Sequence, residues 1–200
     1  MAVVNYAKKE IQFKIVYYGP GLCGKTTNLQ IVHEKMPGDA KGKMSSLATS
    51  QDRTLFFDFL PLKSDAIEGY TTKFQMYTVP GQVKYNSTRK LVLRNCDGVV
   101  FVADSQLKKM PENIESLQNL DENLKEQGSS ISTMPIVYQY NKRDMKDVAS
   151  TEYMDFLINN GPIRVPVVNG VACDGEGVFE TLNAISKLVL NDFIQKKNQG

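Results

Sequence analysis

One eight-residue segment, residues 19–26, constrains the fold of this chain more than any other feature. It reads Gly-Pro-Gly-Leu-Cys-Gly-Lys-Thr and matches the pattern GxxxxGK[ST]. The β-branched and aromatic run at residues 11–17 predicts a strand before it, and apolar residues at helical spacing from Lys25 to Met36 predict a helix after it. A strand, a glycine-rich loop and a helix in this order open a βαβ unit of a parallel sheet.

The glycines of this loop allow its backbone amides to point inward around an anion. Amides of residues 21–26 can surround a phosphate group at the N-terminus of the following helix. The Lys25 ammonium is expected to reach the β- and γ-phosphates of a nucleotide, and the Thr26 hydroxyl to bind Mg²⁺. The alternative is a turn that only packs tightly, with Lys25 in solvent. The predicted phosphate-binding residues are Gly19, Gly21, Leu22, Cys23, Gly24, Lys25, Thr26 and Thr27.

Strand and helix patterns alternate along the rest of the chain and predict one α/β domain spanning residues 1–200. We expect a three-layer P-loop NTPase fold, with a mostly parallel sheet, one antiparallel hairpin at its edge and helices on both faces. Residues 39–52 predict a mobile surface connection, and the polar stretch after Gln82 predicts neither helix nor strand. The further predicted elements are hairpin strands at 55–62 and 70–79 joined through 63–69, strands at 99–103, 136–140 and 165–168, and helices at 111–128, 152–158 and 178–194.

A second motif, Asn141-Lys142-Arg143-Asp144, follows the predicted strand at residues 136–140. Because the carboxyl ends of parallel strands meet at one edge of a sheet, this motif is expected beside the phosphate loop. The Asp144 carboxylate can accept hydrogen bonds from N1–H and the exocyclic amine of guanine, whereas adenine offers no such pair of donors. A phosphate loop alone is shared by ATPases, nucleotide kinases and GTPases. The two motifs together predict a guanine-nucleotide site.

Through these motifs the chain resembles the Ras-like small GTPases over nearly its whole length. Asn141, Lys142 and Asp144 match the base-recognition motif of that family. Ala172, within residues 169–172, matches the weaker last motif, and the resemblance implies that an amide at this position meets the guanine O6 atom.

The segment that follows the hairpin both matches the Ras-like family and departs from it. The resemblance implies that the Gly81 amide senses the γ-phosphate and that Gln82 orients the attacking water. Thr78 stands where the family carries the aspartate that holds the magnesium shell through water. This departure puts the affinity for Mg²⁺ and unaided hydrolysis in question.

The variant Thr78-Val79-Pro80-Gly81-Gln82, together with residues 19–28 and 52–58, is similar to the bacterial MglA-type polarity and gliding-motility GTPases. That resemblance implies that Thr54 contacts Mg²⁺ and the γ-phosphate, and that Arg53 is an arginine finger supplied in cis. It also implies a homodimeric roadblock-fold activating partner, MglB, polarity effectors, and a role in marking a cell pole. The alternative for Arg53 is a solvated loop residue.

The sequence therefore predicts a GTP-binding switch that hydrolyses GTP slowly by itself and faster with an activating partner. One alternative is a GTP-dependent binding module with negligible hydrolysis, which Thr78 favours. Another is a P-loop kinase, but we find no arginine-rich lid segment in the sequence. Transfer of phosphate to a second substrate would distinguish such a kinase.

Charge and cysteine content predict the remaining properties. With 24 Lys and Arg against 22 Asp and Glu, the net charge of +2 gives no strong field for nucleic acid or an anionic membrane. Three widely spaced cysteines predict free thiols in the cytoplasm, with redox chemistry at Cys23 the weaker alternative, and His33 is expected to be a solvated helical residue. We expect a monomer without a membrane anchor of its own, recruited to a pole by partners.

Overall fold

The computed structural model describes residues 2–48, 54–67, 69–82 and 85–199, of which 45–48, 54–66 and 199 are described through their backbone. Consecutive strands occur in the first half of the chain, and from Tyr70 onward strands and helices alternate. They are β1 Val3–Asn5, β2 Glu10–Tyr18, α1 Lys25–Lys35, β3 Ser45–Ala48, β4 Thr54–Ile67, β5 Tyr70–Thr78, α2 Asn86–Leu93, β6 Gly98–Asp104, α3 Met110–Lys125, β7 Ile136–Asn141, α4 Thr151–Ile158, β8 Val167–Asn169 and α5 Val178–Gln199, with a short 3-10 helix at Leu107–Lys109.

The strands form one mostly parallel sheet in the order β3-β4-β5-β2-β6-β7-β8, with β1 paired to the first residues of β2. The pairs β5-β2, β2-β6, β6-β7 and β7-β8 are parallel, while β3-β4 and β4-β5 are antiparallel. The predicted α/β class and the predicted hairpin of β4 and β5 are confirmed. The carboxyl ends of β2, β6 and β7 meet at one edge of the sheet, which is where ligands bind in such folds.

The hairpin is not the outermost part of the sheet, and this part of the prediction is wrong. β3 lies within the segment predicted to be an irregular connection, and it pairs with β4 through Ser45 opposite Phe59. Backbone hydrogen bonds to β4 form this strand, because the polar residues of the segment show no alternation typical of a strand. β4 also continues to Ile67, so the predicted connection at 63–69 is too long. Pro61 lies beyond the last β3 pair, where no ladder partner from β3 is required.

Helix α2 was missed because its buried face carries a charged residue. Arg89, Val92 and Leu93 are the buried residues of this helix, at the spacing i, i+3, i+4, whereas Leu91 is exposed. The Arg89 guanidinium carbon lies 4.2 Å from the centre of the Tyr18 ring, and its Nη2 donates to Ser116 Oγ at 2.7 Å. An arginine at the central buried position removes the apolar stripe by which a helix is recognised.

Two apolar cores lie on opposite faces of the sheet. Alternate residues of β2 supply them, since Phe13 and Ile15 belong to the core under α1 and α5, while Val16 belongs to the core under α3 and α4. This arrangement confirms the three layers and the helices on both faces. Within the described part of the chain, no helix combines the length and apolar character needed to cross a membrane.

Candidate functional site

The phosphate loop connects β2 to α1 at the carboxyl edge of the sheet. Gly19 and Gly24 have φ angles of +141° and +106°, in the region that favours glycine, and a methyl group at Gly19 would collide with the Val102 carbonyl oxygen. α1 begins at Lys25, so Thr26 and Thr27 lie in its first turn. The loop therefore lies between a strand and a helix, as the sequence predicts. Of its other predicted residues, Leu22 is exposed, Cys23 is buried, and a methyl group added at Gly21 would meet open space.

The Lys25 side chain turns into its own loop. Its Nζ donates to the carbonyl oxygens of Pro20 at 2.7 Å and Gly19 at 3.1 Å, and the residue is buried. An ammonium held there, beside the first-turn amides at the N-terminus of α1, favours binding of an anion at this loop. The loop geometry thus fits a phosphate group.

Replacing Gly24 with Ala is expected to destabilise the loop. A methyl group would collide with Asn141 Nδ2, and the backbone would keep a φ of +106° that alanine adopts only with strain of about 1–3 kcal/mol. Thermal unfolding of Gly24→Ala is expected at a lower temperature than that of Gly38→Ala, since a methyl group at Gly38 meets open space. Equal unfolding temperatures would contradict the close packing at Gly24.

Asn141, at the end of β7, connects the phosphate loop to the loop after β8. Its Nδ2 donates to the Cys23 carbonyl oxygen at 2.7 Å, and its Oδ1 accepts from the Ala172 amide at 2.9 Å. The structure thus brings together three predicted segments. It also gives the Ala172 amide a partner inside the protein, where the resemblance implied guanine O6 as the acceptor.

The two charged residues of the base motif have different surroundings. Lys142 Nζ lies 2.7 Å from Asp104 Oδ2, and Asp104 is buried at the end of β6. Asp144 is exposed, so its carboxylate is accessible to a ligand. Asp104 was not among the predicted site residues, although a carboxylate that ends a buried strand close to the base motif in the fold was a usable signal. Asp104 also accepts from the Gln106 amide at 3.1 Å, so it is held firmly against Lys142.

The Pro80-Gly81-Gln82 segment lies against the phosphate loop. A methyl group on Gly81 would lie only 2.6 Å from the Pro20 carbonyl oxygen, which leaves room for glycine alone. Gln82 follows with its side chain partly buried. The predicted γ-phosphate sensor Gly81 therefore lies against the loop, and the predicted water-orienting Gln82 is the next residue along the chain.

The predicted metal ligands are described in part. Thr26 is half-buried in the first turn of α1, and Thr54 is the first residue of β4, described through its backbone. Arg53 lies outside the described residues. Thr78 is fully buried at the end of β5.

Across the described residues no group of three His, Cys, Asp or Glu side chains could hold a metal ion by itself. The hydroxyl of Thr26 would be a neutral oxygen ligand. Mg²⁺ in nucleotide sites takes much of its coordination from phosphates and water, so a small protein donor set of this kind fits it.

The three cysteines differ in exposure. Cys173, next to Ala172, is exposed, whereas Cys23 and Cys96 are buried. Burial raises the pKa of the Cys96 thiol to about 12. Because the thiolate is the reactive form, Cys96 is expected to be inert in the folded protein.

Titration with a chromogenic disulfide reagent is therefore expected to detect one accessible thiol in the folded protein and three in denaturant. The exposed thiol is Cys173, and Cys173→Ser is expected to abolish the native signal. Rapid reaction of a second thiol in the native state would contradict the burial of Cys23 and Cys96.

A parallel sheet with a GxxxxGKT loop and an NKxD loop joined at its carboxyl edge defines a Ras-like small GTPase, a class of GTP-binding switches. Comparison with protein families supports that class. The sequence profile described as the ADP-ribosylation factor family matches residues 1–189, so the chain belongs to that family.

Comparison with individual proteins shows which small GTPases the chain is similar to. The chain is 54% identical to the mutual gliding-motility protein MglA of Myxococcus xanthus (strain DK1622) over 192 residues, which cover 96% of this chain and 97% of MglA. It is 28% identical to Ras-related protein rab-39 of Caenorhabditis elegans over 52% of this chain and 42% of that protein. It is 27% identical to a mouse Ras and EF-hand domain-containing protein homolog over 70% of this chain and 20% of that protein. The predicted resemblance to MglA-type GTPases is confirmed.

Proposed function

We propose that this MglA-like chain hydrolyses GTP to GDP and phosphate and controls bacterial cell polarity or motility through nucleotide-dependent binding of partners. One observation carries the proposal: Asn141 joins the phosphate loop to the loop of Ala172, beside the exposed Asp144. A single ligand with phosphates at one end and guanine at the other matches such a paired arrangement.

The nucleotide would be held at two ends. At the phosphate end, the amides of residues 21–27 and the Lys25 ammonium bind the phosphate oxygens, for which Lys25 exchanges its contacts with Gly19 and Pro20. At the other end, Asp144 accepts from guanine while Asn141 keeps the two loops together. Mg²⁺, when bound through Thr26 and Thr54, neutralises charge on the phosphates.

Hydrolysis needs two further residues. Gln82 orients the attacking water, and Arg53 places positive charge on the transferred phosphate. A roadblock-domain activating protein similar to MglB raises the rate by positioning both residues. The proposed unit is one G domain over residues 1–200, a cytoplasmic monomer by itself that polarity effectors recruit to a cell pole.

Native mass spectrometry of the purified protein tests the ligand directly. We expect GDP or GTP in a one-to-one complex, and release of the nucleotide when Mg²⁺ is chelated. Fluorescent GDP is expected to be displaced by GTP but not by ATP. Equal displacement by both would contradict guanine recognition.

Release of inorganic phosphate in single turnover separates the hydrolysing switch from the second candidate. That candidate, a GTP-dependent binding module with negligible hydrolysis, is favoured by the buried Thr78 in place of the family aspartate. Phosphate release that a roadblock-fold homodimer accelerates supports the switch. Tight GTP binding without phosphate release, even with that partner, supports the binding module.

A further inference from the structure

A fully buried pair of side-chain amides lies below the phosphate loop. Asn28 in α1 and Gln139 in β7 hydrogen bond to each other twice, with Asn28 Nδ2 donating to Gln139 Oε1 at 2.7 Å and Gln139 Nε2 donating to Asn28 Oδ1 at 2.9 Å. Both residues have no exposed surface. Burying polar groups destabilises a fold unless each group has a hydrogen-bond partner. The mutual hydrogen bonds of Asn28 and Gln139 therefore fix the geometry of this pair.

The pair contacts a loop at each of its ends. Asn28 Nδ2 also donates to the Gly24 carbonyl oxygen at 2.9 Å, within the phosphate loop. Gln139 Nε2 donates to Thr181 Oγ1 at 3.0 Å, and Thr181 Oγ1 donates to the Gly177 carbonyl oxygen at 2.6 Å. Gly177 packs in turn on Gly170, at the start of the loop that contains Ala172.

A continuous chain of hydrogen bonds therefore runs from the phosphate loop to residues 170–177, on the side of the sheet covered by α1 and α5. It is separate from the bridge made by Asn141, which is also buried and joins the Cys23 carbonyl oxygen to the Ala172 amide. Asn28, Gln139 and Thr181 contact no part of the expected nucleotide position, because all three are buried below it.

We propose that Asn28, Gln139 and Thr181 are positioning residues that hold the phosphate loop and the loop at residues 170–177 in register, and thereby slow nucleotide release. The inference rests on the guanine-nucleotide site proposed above. If the two loops are held together, each end of a bound nucleotide keeps the other end in place. Loosening the chain lets one loop move away while the other remains bound.

The test measures release of fluorescent GDP by stopped flow. Asn28→Leu keeps the approximate size of the side chain and removes its three hydrogen bonds to Gly24 and Gln139. It is expected to speed GDP release by at least about tenfold, the factor that one buried hydrogen bond contributes. Thr181→Val removes one hydroxyl and is expected to speed release about threefold. Fluorescent GMP has no β-phosphate for the loop to hold, so its affinity is expected to change less than that of GDP.

A double-mutant cycle decides whether these residues act as one chain. If they do, the Asn28→Leu/Thr181→Val variant releases GDP at nearly the rate of Asn28→Leu alone. If they act separately, the two fold-changes multiply. Multiplied effects would contradict a continuous chain.

Asn159 offers a matched control. It is also a buried asparagine whose side-chain amide makes three hydrogen bonds. Its Nδ2 donates to the Val165 carbonyl oxygen at 2.9 Å and to Asp155 Oδ1 at 3.4 Å, and its Oδ1 accepts from the Val165 amide at 3.0 Å. Asn159→Leu is expected to lower the unfolding temperature as Asn28→Leu does, with GDP release unchanged.

Three results would overturn the proposal: wild-type release rates in both Asn28→Leu and Thr181→Val, equal acceleration in Asn159→Leu, or equal loss of GDP and GMP affinity. If Asn28→Leu does not fold, the milder Asn28→Ser and Thr181→Val variants decide the question by the same rates. Failure of the proposed function has a different signature, because the wild-type protein would then bind fluorescent GDP no better than fluorescent ADP.

Discussion

Replacing Asp144 with Asn is expected to lower the affinity for GTP by about 10⁴-fold and to create a preference for xanthosine triphosphate. The Asp144 carboxylate offers acceptors alone, which match the two N–H donors on the guanine edge. An asparagine amide presents a donor to one of those N–H groups, so one pair becomes donor against donor. Xanthine carries a carbonyl oxygen where guanine carries its amine, and it restores the pairing.

Competition of unlabelled nucleotides against a fluorescent analogue measures this exchange of specificity. Asp147→Asn is the matched control, because Asp147 is an exposed aspartate three positions further along the same turn. Its affinity for GTP is expected to equal that of the wild-type protein. If Asp144→Asn binds GTP with unchanged affinity, Asp144 does not read the base.

The position of this site could be predicted from the sequence because both motifs follow strands. Parallel strands place their carboxyl ends together, so a motif after β2 and a motif after β7 meet wherever the sheet is parallel. Loop glycines such as Gly24 indicate a local backbone conformation with positive φ, which depends little on distant residues. A motif of this kind therefore predicts its local structure from the sequence alone.

Contacts between distant polar residues could not be predicted in the same way. Asp104 and Lys142 are 38 positions apart, and Asn28 and Gln139 are 111 positions apart. Asn28 and Gln139 are each, taken alone, compatible with a solvated surface position. Their burial depends on register across the sheet, which hydrophobic periodicity does not determine.

Helix α2 and strand β3 illustrate two other limits of the sequence. In α2 the stacking of Arg89 on Tyr18 replaces apolar burial, so the hydrophobic pattern is interrupted where the helix is most buried. In β3 the stabilising groups are backbone amides and carbonyls paired with β4. Neither interaction leaves a periodic signal in the side chains.

The Thr78 hydroxyl, in place of a carboxylate, bears on the chemistry that this site can perform. A neutral side chain contributes less to holding a hydrated cation than an aspartate does. The positive charge needed in the transition state must then come from elsewhere in the site. An arginine can supply this positive charge, and the family resemblance indicates Arg53, next to Thr54, for that role.

Replacing Arg53 with Ala is expected to lower the partner-stimulated rate of GTP hydrolysis by about 10³- to 10⁵-fold, the contribution of an arginine finger in GTPases. Gln82→Ala is expected to lose a similar share of stimulation, because the attacking water is then not oriented. GTP affinity is expected to change little in Arg53→Ala, since the finger acts on charge that develops in the transition state.

Single-turnover phosphate release with a saturating roadblock-fold homodimer measures these rates. Arg94→Ala serves as the control, because Arg94 is an exposed arginine just before β6, at the opposite edge of the sheet from the phosphate loop. A stimulated rate that survives in Arg53→Ala but falls in Gln82→Ala would mean that the partner supplies the arginine. Wild-type stimulated rates in both variants would mean that neither residue takes part in catalysis, and the acceleration would then have to come from groups of the partner alone.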